Sequence, residues 1–243
     1  MLPGWILALD SATRATAVAL SGPGGEVFEA RDDQPRGHRP QHVAKLLPLC
    51  ADVLSRAGRS FEQVDGYAVG TGPGTFTGLR IGVATARALA RAGQVPLVGV
   101  STLHSLALGG ASAPEASRFE AVLAVLDARR GEAFVAAWSR EDIGPAAEPL
   151  IAPVAVTPEA LADELDRAGL TPLAVGEGAV EFREVLERSG AFVPDDDSAL
   201  HRVTAVNHCR IARELTPTDP ERIQPEYLRL PDAELARRAA GNR

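Results

Sequence analysis

At 243 residues, 45% of them apolar and 23% charged, the chain is long enough to bury a substantial core as one large domain or two small lobes. Its 25 Lys and Arg against 32 Asp and Glu leave a formal charge of -7, which argues against a protein that neutralises many phosphates by itself; any nucleic acid is expected to be held mainly by a partner. The two cysteines, Cys50 and Cys209, lack metal-ligand spacing, and no segment approaches the roughly 18 consecutive apolar residues of a membrane span, so a disulfide scaffold, a zinc module and a membrane protein are set aside and a cytoplasmic protein is expected.

Residues 5–9 are an apolar run that meets Asp10, and the small hydroxyl-rich turn 11–14 leads into a second run, 16–20. This pattern predicts strand, aspartate turn, strand, with a third strand over 26–31 after the glycine-rich turn 22–25. From 41 to 57, apolar residues at 43, 46, 47, 50, 53, 54 and 57 keep helical spacing and predict a helix buried along that stripe. His42, Lys45, Leu49, Asp52 and Arg56 then form the opposite face, where Leu49 reads either as a contact or as an ordinary exposed leucine. A strand over 65–70, a glycine loop over 71–78, a helix over 79–92 and a strand over 95–100 complete the first half.

The same order returns in the second half. A strand over 121–126 ends at Asp127, a turn at 128–131 leads to a strand over 133–138, and a helix over 158–168 precedes a strand at 172–175, the glycine turn 176–178 and a helix reaching Arg188. The repeat predicts two related α/β lobes with Asp10 and Asp127 facing each other across a cleft, although aspartates at strand ends also occur in any doubly wound protein. A helix over 199–215 follows, and the tail beyond 231 is expected to fray.

Several groups could carry chemistry. The loop with Gly70, Gly72, Gly74 and Gly78 opens onto a helix N-terminus, which suits an anion, but it lacks a P-loop ending, and a tight packing turn is the commoner meaning. Asp10, Ser11, Thr13, Gly72, Gly74 and Asp127 are therefore a candidate vestigial nucleotide or phosphate loop. Gly78, Gly82, Ala86 and Ala90 recur every four residues and let another helix approach, from this chain or from a partner. Arg80, Arg87 and Arg91 read as a solvated edge. His38 and His42 stand four apart with Pro40 between them and no nearby carboxylate, and His201 and His208 have no acidic neighbour in sequence; no metal site is assigned. Neither a Gly-x-Ser-x-Gly elbow nor a His-Glu-x-x-His helix occurs.

Residues 5–20 (WILALDSATRATAVAL) and 66–86 (GYAVGTGPGTFTGLRIGVATA) closely resemble the TsaB family, also called YeaZ. Shorter matches are His42 with Leu46-Leu47-Pro48, then 98–103 (VGVSTL), 126–132 (LDARRGE) and 225–229 (PEYLR). The resemblance implies an actin-like (ribonuclease H-like) duplicated α/β fold, two lobes each with a mixed β-sheet flanked by helices. Residues 1–104 would form the partner-binding lobe, completed by a C-terminal helix 199–230, and residues 105–198 a degenerate second lobe.

It also implies a non-catalytic dimerisation subunit that supports a TsaD-type threonylcarbamoyltransferase acting beside the tRNA anticodon, with a TsaE-type ATPase as third component. ATP and magnesium would be used by the assembled complex, with no cofactor held by this chain. It can pair with itself when alone and meets tRNA only through the complex. The interface implied comprises His42, Lys45, Leu46, Leu49, Phe76, Gly78, Leu79, Gly82, Val83 and Ala86. Gly82→Leu is accordingly expected to weaken partner binding more than folding. Where TsaD-like proteins carry a His-x-x-x-His metal pair, this chain has Thr102 and Leu106, with His104 alone between them, so no catalytic residue is assigned. An independent actin-like ATPase or small-molecule kinase, and a self-associating scaffold, are the competing readings.

Overall fold

A computed structural model describes residues 2–34 and 38–229; the frayed tail expected beyond 231 lies outside them. The first lobe is a five-stranded sheet in the order β3-β2-β1-β4-β5, built from β1 (Ile6–Asp10), β2 (Thr16–Ser21), β3 (Val27–Asp32), β4 (Gly66–Gly72) and β5 (Leu97–Ser101). Central β1 runs antiparallel to β2 and parallel to β4. Its residues alternate between the two faces as a pleated strand requires. Leu7 and Leu9 pack under α1 (His42–Arg56) and α2 (Phe76–Gly93), while Ile6 and Ala8 pack under α7 (Ala205–Glu214).

The second lobe is a four-stranded sheet, β8-β7-β6-β9, from β6 (Ala121–Arg129), β7 (Glu132–Ser139), β8 (Ile151–Val156) and β9 (Leu173–Val175). One face packs on α3 (Thr102–Ala111), and the other on α4 (Pro158–Ala168), α5 (Glu177–Glu181) and α6 (Arg183–Arg188). Helices α3 and α7 touch, so each sheet backs onto one member of a central helix pair. The expected duplication is present: strand, turn, two antiparallel strands, helix and returning parallel strand occur in both lobes.

Several boundaries differ from expectation, among them the helix expected to reach Arg188, which is two short helices, α5 and α6, meeting at Phe182. Helix α2 begins at Phe76, so Gly78 lies inside it. The helix expected over 199–215 is a 3-10 turn at Ala199–His201 followed by α7. The helix expected to run on to 230 ends at Glu214, and the chain continues as a strap with a 3-10 turn at Pro220–Arg222. In that strap Ile223 joins the first-lobe core, the Glu226 amide donates to the Thr71 carbonyl at 2.7 Å, and Arg229 reaches across to Glu132 of the second lobe at 2.7 Å. Finally, the unpredicted α3 is buried around most of its circumference and unpredicted β8 contains Pro153.

Candidate functional site

Asp10 is the residue on which a nucleotide reading depends, and it is 1% exposed. Its Oδ1 accepts the Ala12 amide at 2.8 Å; its Oδ2 accepts the Thr102 hydroxyl at 2.8 Å and lies 3.0 Å from His208 Nε2. His208 Nδ1 is in turn 2.8 Å from the Ser105 hydroxyl and 3.2 Å from the Thr204 carbonyl. The His208 ring thus lies between the Asp10 carboxylate and the Ser105 hydroxyl. The network ties β1 to α3 and α7. Ser, His and Asp here have the composition of a nucleophile relay, but Ser105 and His208 have no exposed surface and the group is sealed.

Burial alone would raise the Asp10 carboxyl, but the hydrogen bond and charge of His208, the Ala12 amide and the Thr102 hydroxyl together hold it below 3.8. A lowered folded value means that the ionised carboxylate stabilises the fold above pH 3.8 and that this contribution is lost as pH falls through the folded value. Asp10→Asn is therefore expected to be less stable than the parent at pH 7, with the difference shrinking at progressively more acidic pH. Urea unfolding along a pH series measures it; a difference that grows on acidification would contradict the assignment.

The glycine loop is closed rather than cradle-shaped. Thr75 donates its amide to the Ala12 carbonyl at 2.7 Å, and Ser11 donates its hydroxyl to the Gly78 carbonyl at 2.8 Å. A Cβ on Gly74 would stand 2.3 Å from the Ala12 carbonyl oxygen, and Gly72 has φ +108°, a backbone that side chains rarely adopt. Gly72, Gly74 and Ser11 thus lock the turn after β1 onto the start of α2. Thr13 accepts the Ala15 amide at 3.3 Å. Asp127 caps the Arg129 amide at 2.7 Å and pairs with that guanidinium at 3.2 Å, while Asp10 is turned inward, so the two aspartates do not face each other across an open cleft.

Thr102 and Leu106 stand where the family resemblance implies a histidine pair in TsaD-like proteins. Thr102 is spent on Asp10 and Leu106 lies in the second-lobe core, so neither can hold a metal. His104 stacks on Trp138 with ring centroids 5.1 Å apart. Burial, against the Gly144 backbone and with His208 adding to it, lowers its pKa. Among the described residues, two small cavities lie at the lobe boundary: one of 190 Å³ beside Thr13, Arg14 and His201, and one of 170 Å³ beside Arg14, Asp127 and Glu181. Both are below the roughly 300–1,000 Å³ of ordinary ligand pockets.

The second candidate is the helix pair α1 and α2, which pack side by side over the first sheet. Most residues expected at a partner interface are committed to this chain's own packing. Leu46, Leu79, Val83 and Ala86 are at most 2% exposed, and His42 is buried with Nδ1 2.9 Å from the Thr16 hydroxyl. Burial is the chief cause of a lowered His42 pKa. Gly78 and Gly82 press on the turn after β1: an added Cβ would lie 2.0 Å from the Ser11 carbonyl oxygen and 2.5 Å from its hydroxyl, respectively. The small-residue ridge therefore serves intramolecular approach. Gly82→Leu is expected to destabilise the fold by about 1–3 kcal/mol, reversing the sequence-based expectation; an unchanged thermal midpoint would contradict this.

The outward face is a different stripe of the same helices. Val43 is 80% and Leu47 49% exposed, with Ala44, Pro48 and Ala51 exposed beside them. Ala84 and Ala88 are exposed on α2, flanked by half-buried Ile81 and Thr85. Spacings of four residues align these positions along each helix. Lys45 and Leu49 are half-buried, and Leu49 packs on the core. Phe76 is half-buried under the Arg80 guanidinium, 3.7 Å from its ring centre, and beside Tyr227 of the strap. Cys50 and Cys209 are free and buried, with burial pushing each thiol up to about 12. Among the described residues, no helix is long and apolar enough to cross a membrane.

Comparison with known proteins places this geometry. The family model described as TsaD, tRNA N6-adenosine threonylcarbamoyltransferase, matches residues 34–216. The chain is 40% identical over 139 residues to the tRNA threonylcarbamoyladenosine biosynthesis protein TsaB of Escherichia coli K12, an alignment covering 57% of each chain. For its Haemophilus influenzae counterpart the identity is 35% over 138 residues, covering 57% of this chain and 55% of that one; the matched region thus spans little more than half of these curated relatives. The solved structure of YeaZ from Pseudomonas aeruginosa superposes with a TM-score of 0.72 at 28% identity, covering 93% of this chain and 100% of that one. The two-lobed actin-like architecture, the match over about three quarters of the chain and the likeness in sequence and structure to TsaB (YeaZ) proteins agree: the chain belongs to the TsaD family and stands with its TsaB (YeaZ) members.

Proposed function

We propose that this protein takes part in forming threonylcarbamoyladenosine in tRNA as an accessory subunit that docks on a TsaD-type threonylcarbamoyltransferase and contributes no catalytic group. The single observation that carries the docking is the outward stripe of Val43, Ala44, Leu47, Pro48 and Ala51 on α1 beside Ala84 and Ala88 on α2. A solvent-facing helix ordinarily presents polar residues there, and a contiguous apolar face rimmed by charge marks a contact surface. Asp52, Arg56, Arg80 and Arg91 supply that rim.

An accessory role is supported by the sealed Asp10, by the locked glycine loop and by the absence of ligating side chains at positions 102 and 106. Without an open carboxylate for a magnesium-bound triphosphate, an independent ATPase or kinase has no apparatus at this turn. ATP and magnesium are then used by the assembled complex, which includes a TsaE-type ATPase, and tRNA is reached through the partner. Self-pairing through the same stripe accounts for any homodimer formed when the catalytic subunit is absent. Size-exclusion chromatography of this chain with the TsaD-type subunit of the same organism tests the docking: one co-eluting complex is expected, and separate elution at micromolar concentrations would contradict it. Magnesium-dependent ATP turnover by the isolated chain, lost in Asp10→Ala, would favour the kinase reading instead.

A further inference from the structure

We propose that the chain's own residues 230–243 dock in a groove on the outer layer of the second lobe, between the start of α4 and the junction of α5 and α6, with Arg237 and Arg238 against its carboxylates. The groove has a volume of 510 Å³, within the range of ordinary ligand pockets. Its floor is apolar, made largely by half-buried Val180, Phe182 and Val185, and its walls carry Glu159, Glu181 and Glu184. Arg183, the base in the lining, is spent within the lobe on Asp196 at 2.7 Å, Glu187 at 2.9 Å and the Val193 carbonyl at 2.7 Å. Glu159 and Glu184 have no ion pair among the described residues. An apolar floor under a carboxylate rim suits an arginine, whose stem packs on the one while its head pairs with the other.

The described chain ends beside this groove. Arg229 bonds Glu132 at 2.7 Å and the Ala128 carbonyl at 3.3 Å, and Gly131, next to Glu132, forms part of the groove wall. Arg237 comes eight residues later, a reach of up to roughly 26–29 Å. Charge selects the same pairing. Between 157 and 198, eleven Asp and Glu stand against three Arg, a local charge of -8 that exceeds the -7 of the whole chain. Residues 235–243, by contrast, hold Arg237, Arg238 and Arg243 and no acid, with Leu235 and three alanines to meet the floor. Because the segment is joined to the chain at the groove's edge, its effective concentration there is about millimolar, enough to populate a contact that would be weak between separate molecules.

The test is paramagnetic broadening in the whole chain, with a nitroxide on Asn242→Cys. Cys50 and Cys209 are buried, with thiols pushed up to about 12, so the introduced thiol is the one that takes the label. The amide signals of Gly131, Val180 and Glu184 are expected to broaden while those of Val43 and Leu47, on the outer face of α1, stay sharp. Glu159→Lys combined with Glu184→Lys, both at exposed positions, should abolish the broadening, and adding Arg237→Glu and Arg238→Glu should restore it. Broadening that is absent at the groove, centred on α1, equal in the charge-reversed form, or lost there without repair by the charge swap overturns the proposal. So does broadening of an isotope-labelled chain by a nitroxide carried on a second, unlabelled copy, which would give the groove to a neighbouring molecule.

Discussion

Gly70→Ala is expected to cost about 3–5 kcal/mol of folding stability, a large effect for one methyl group. The added carbon would lie 1.8 Å from Asp10 Oδ2 and 3.0 Å from His208 Nε2. There is no space into which the carboxylate can retreat, because Asp10 is 1% exposed and both its oxygens are bonded. Moving it would part it from Thr102 and His208 and leave a buried carboxylate unmatched, which is costly. At about 2–4 °C per kcal/mol for a chain of this size, the midpoint should fall by roughly 6–20 °C. Differential scanning calorimetry reads it directly. A midpoint within 2 °C or so of the parent would mean that the Asp10 network does not hold α3 and α7 to the first sheet.

Leu47→Asp is expected to have the opposite profile, with association with the TsaD-type subunit weakened by about a hundredfold or more and stability changed by less than about 0.5 kcal/mol. Leu47 is 49% exposed and outside the core, so its replacement leaves no cavity. In a docked complex the same side chain would be covered, and a buried unpaired carboxylate would then oppose binding. Val43→Asp, one turn away on the same face, should behave alike, and calorimetric titration with a parallel melting curve separates binding from folding. Gly82→Leu provides the contrast, since its damage is expected in the melting curve first.

The contrast between these variants shows what the residues alone could convey. The twofold strand-turn-strand order and the helices at 41–57 and 158–168 were legible because each has a clear period or sharp punctuation. Helix α3 was not: TLHSLALGGA is buried on most of its circumference and has no polar face to set a period. On α1 the buried stripe expected through 43, 46, 47, 50, 53 and 54 holds except at Val43 and Leu47, which are exposed, because apolar residues occur on two faces. The inward one includes His42, whose burial depends on a hydrogen bond to Thr16, 26 positions away. Gly78 and Gly82 were correctly read as small for close approach, but spacing does not say what approaches, and here it is Ser11. His208 has no acidic neighbour in sequence, and Asp10 comes beside it only once β1 and α7 are packed together.

The central claim is that this chain makes a TsaD-type enzyme competent through the outer face of α1 and α2. The direct measurement is threonylcarbamoylation of tRNA in a reaction reconstituted from the same organism's TsaD-type and TsaE-type proteins, run without this chain, with the parent chain, and with Leu47→Asp. Activity that requires the parent chain and is lost with the folded variant is the predicted result. Full activity without the chain, or equal activity with both forms, would contradict it.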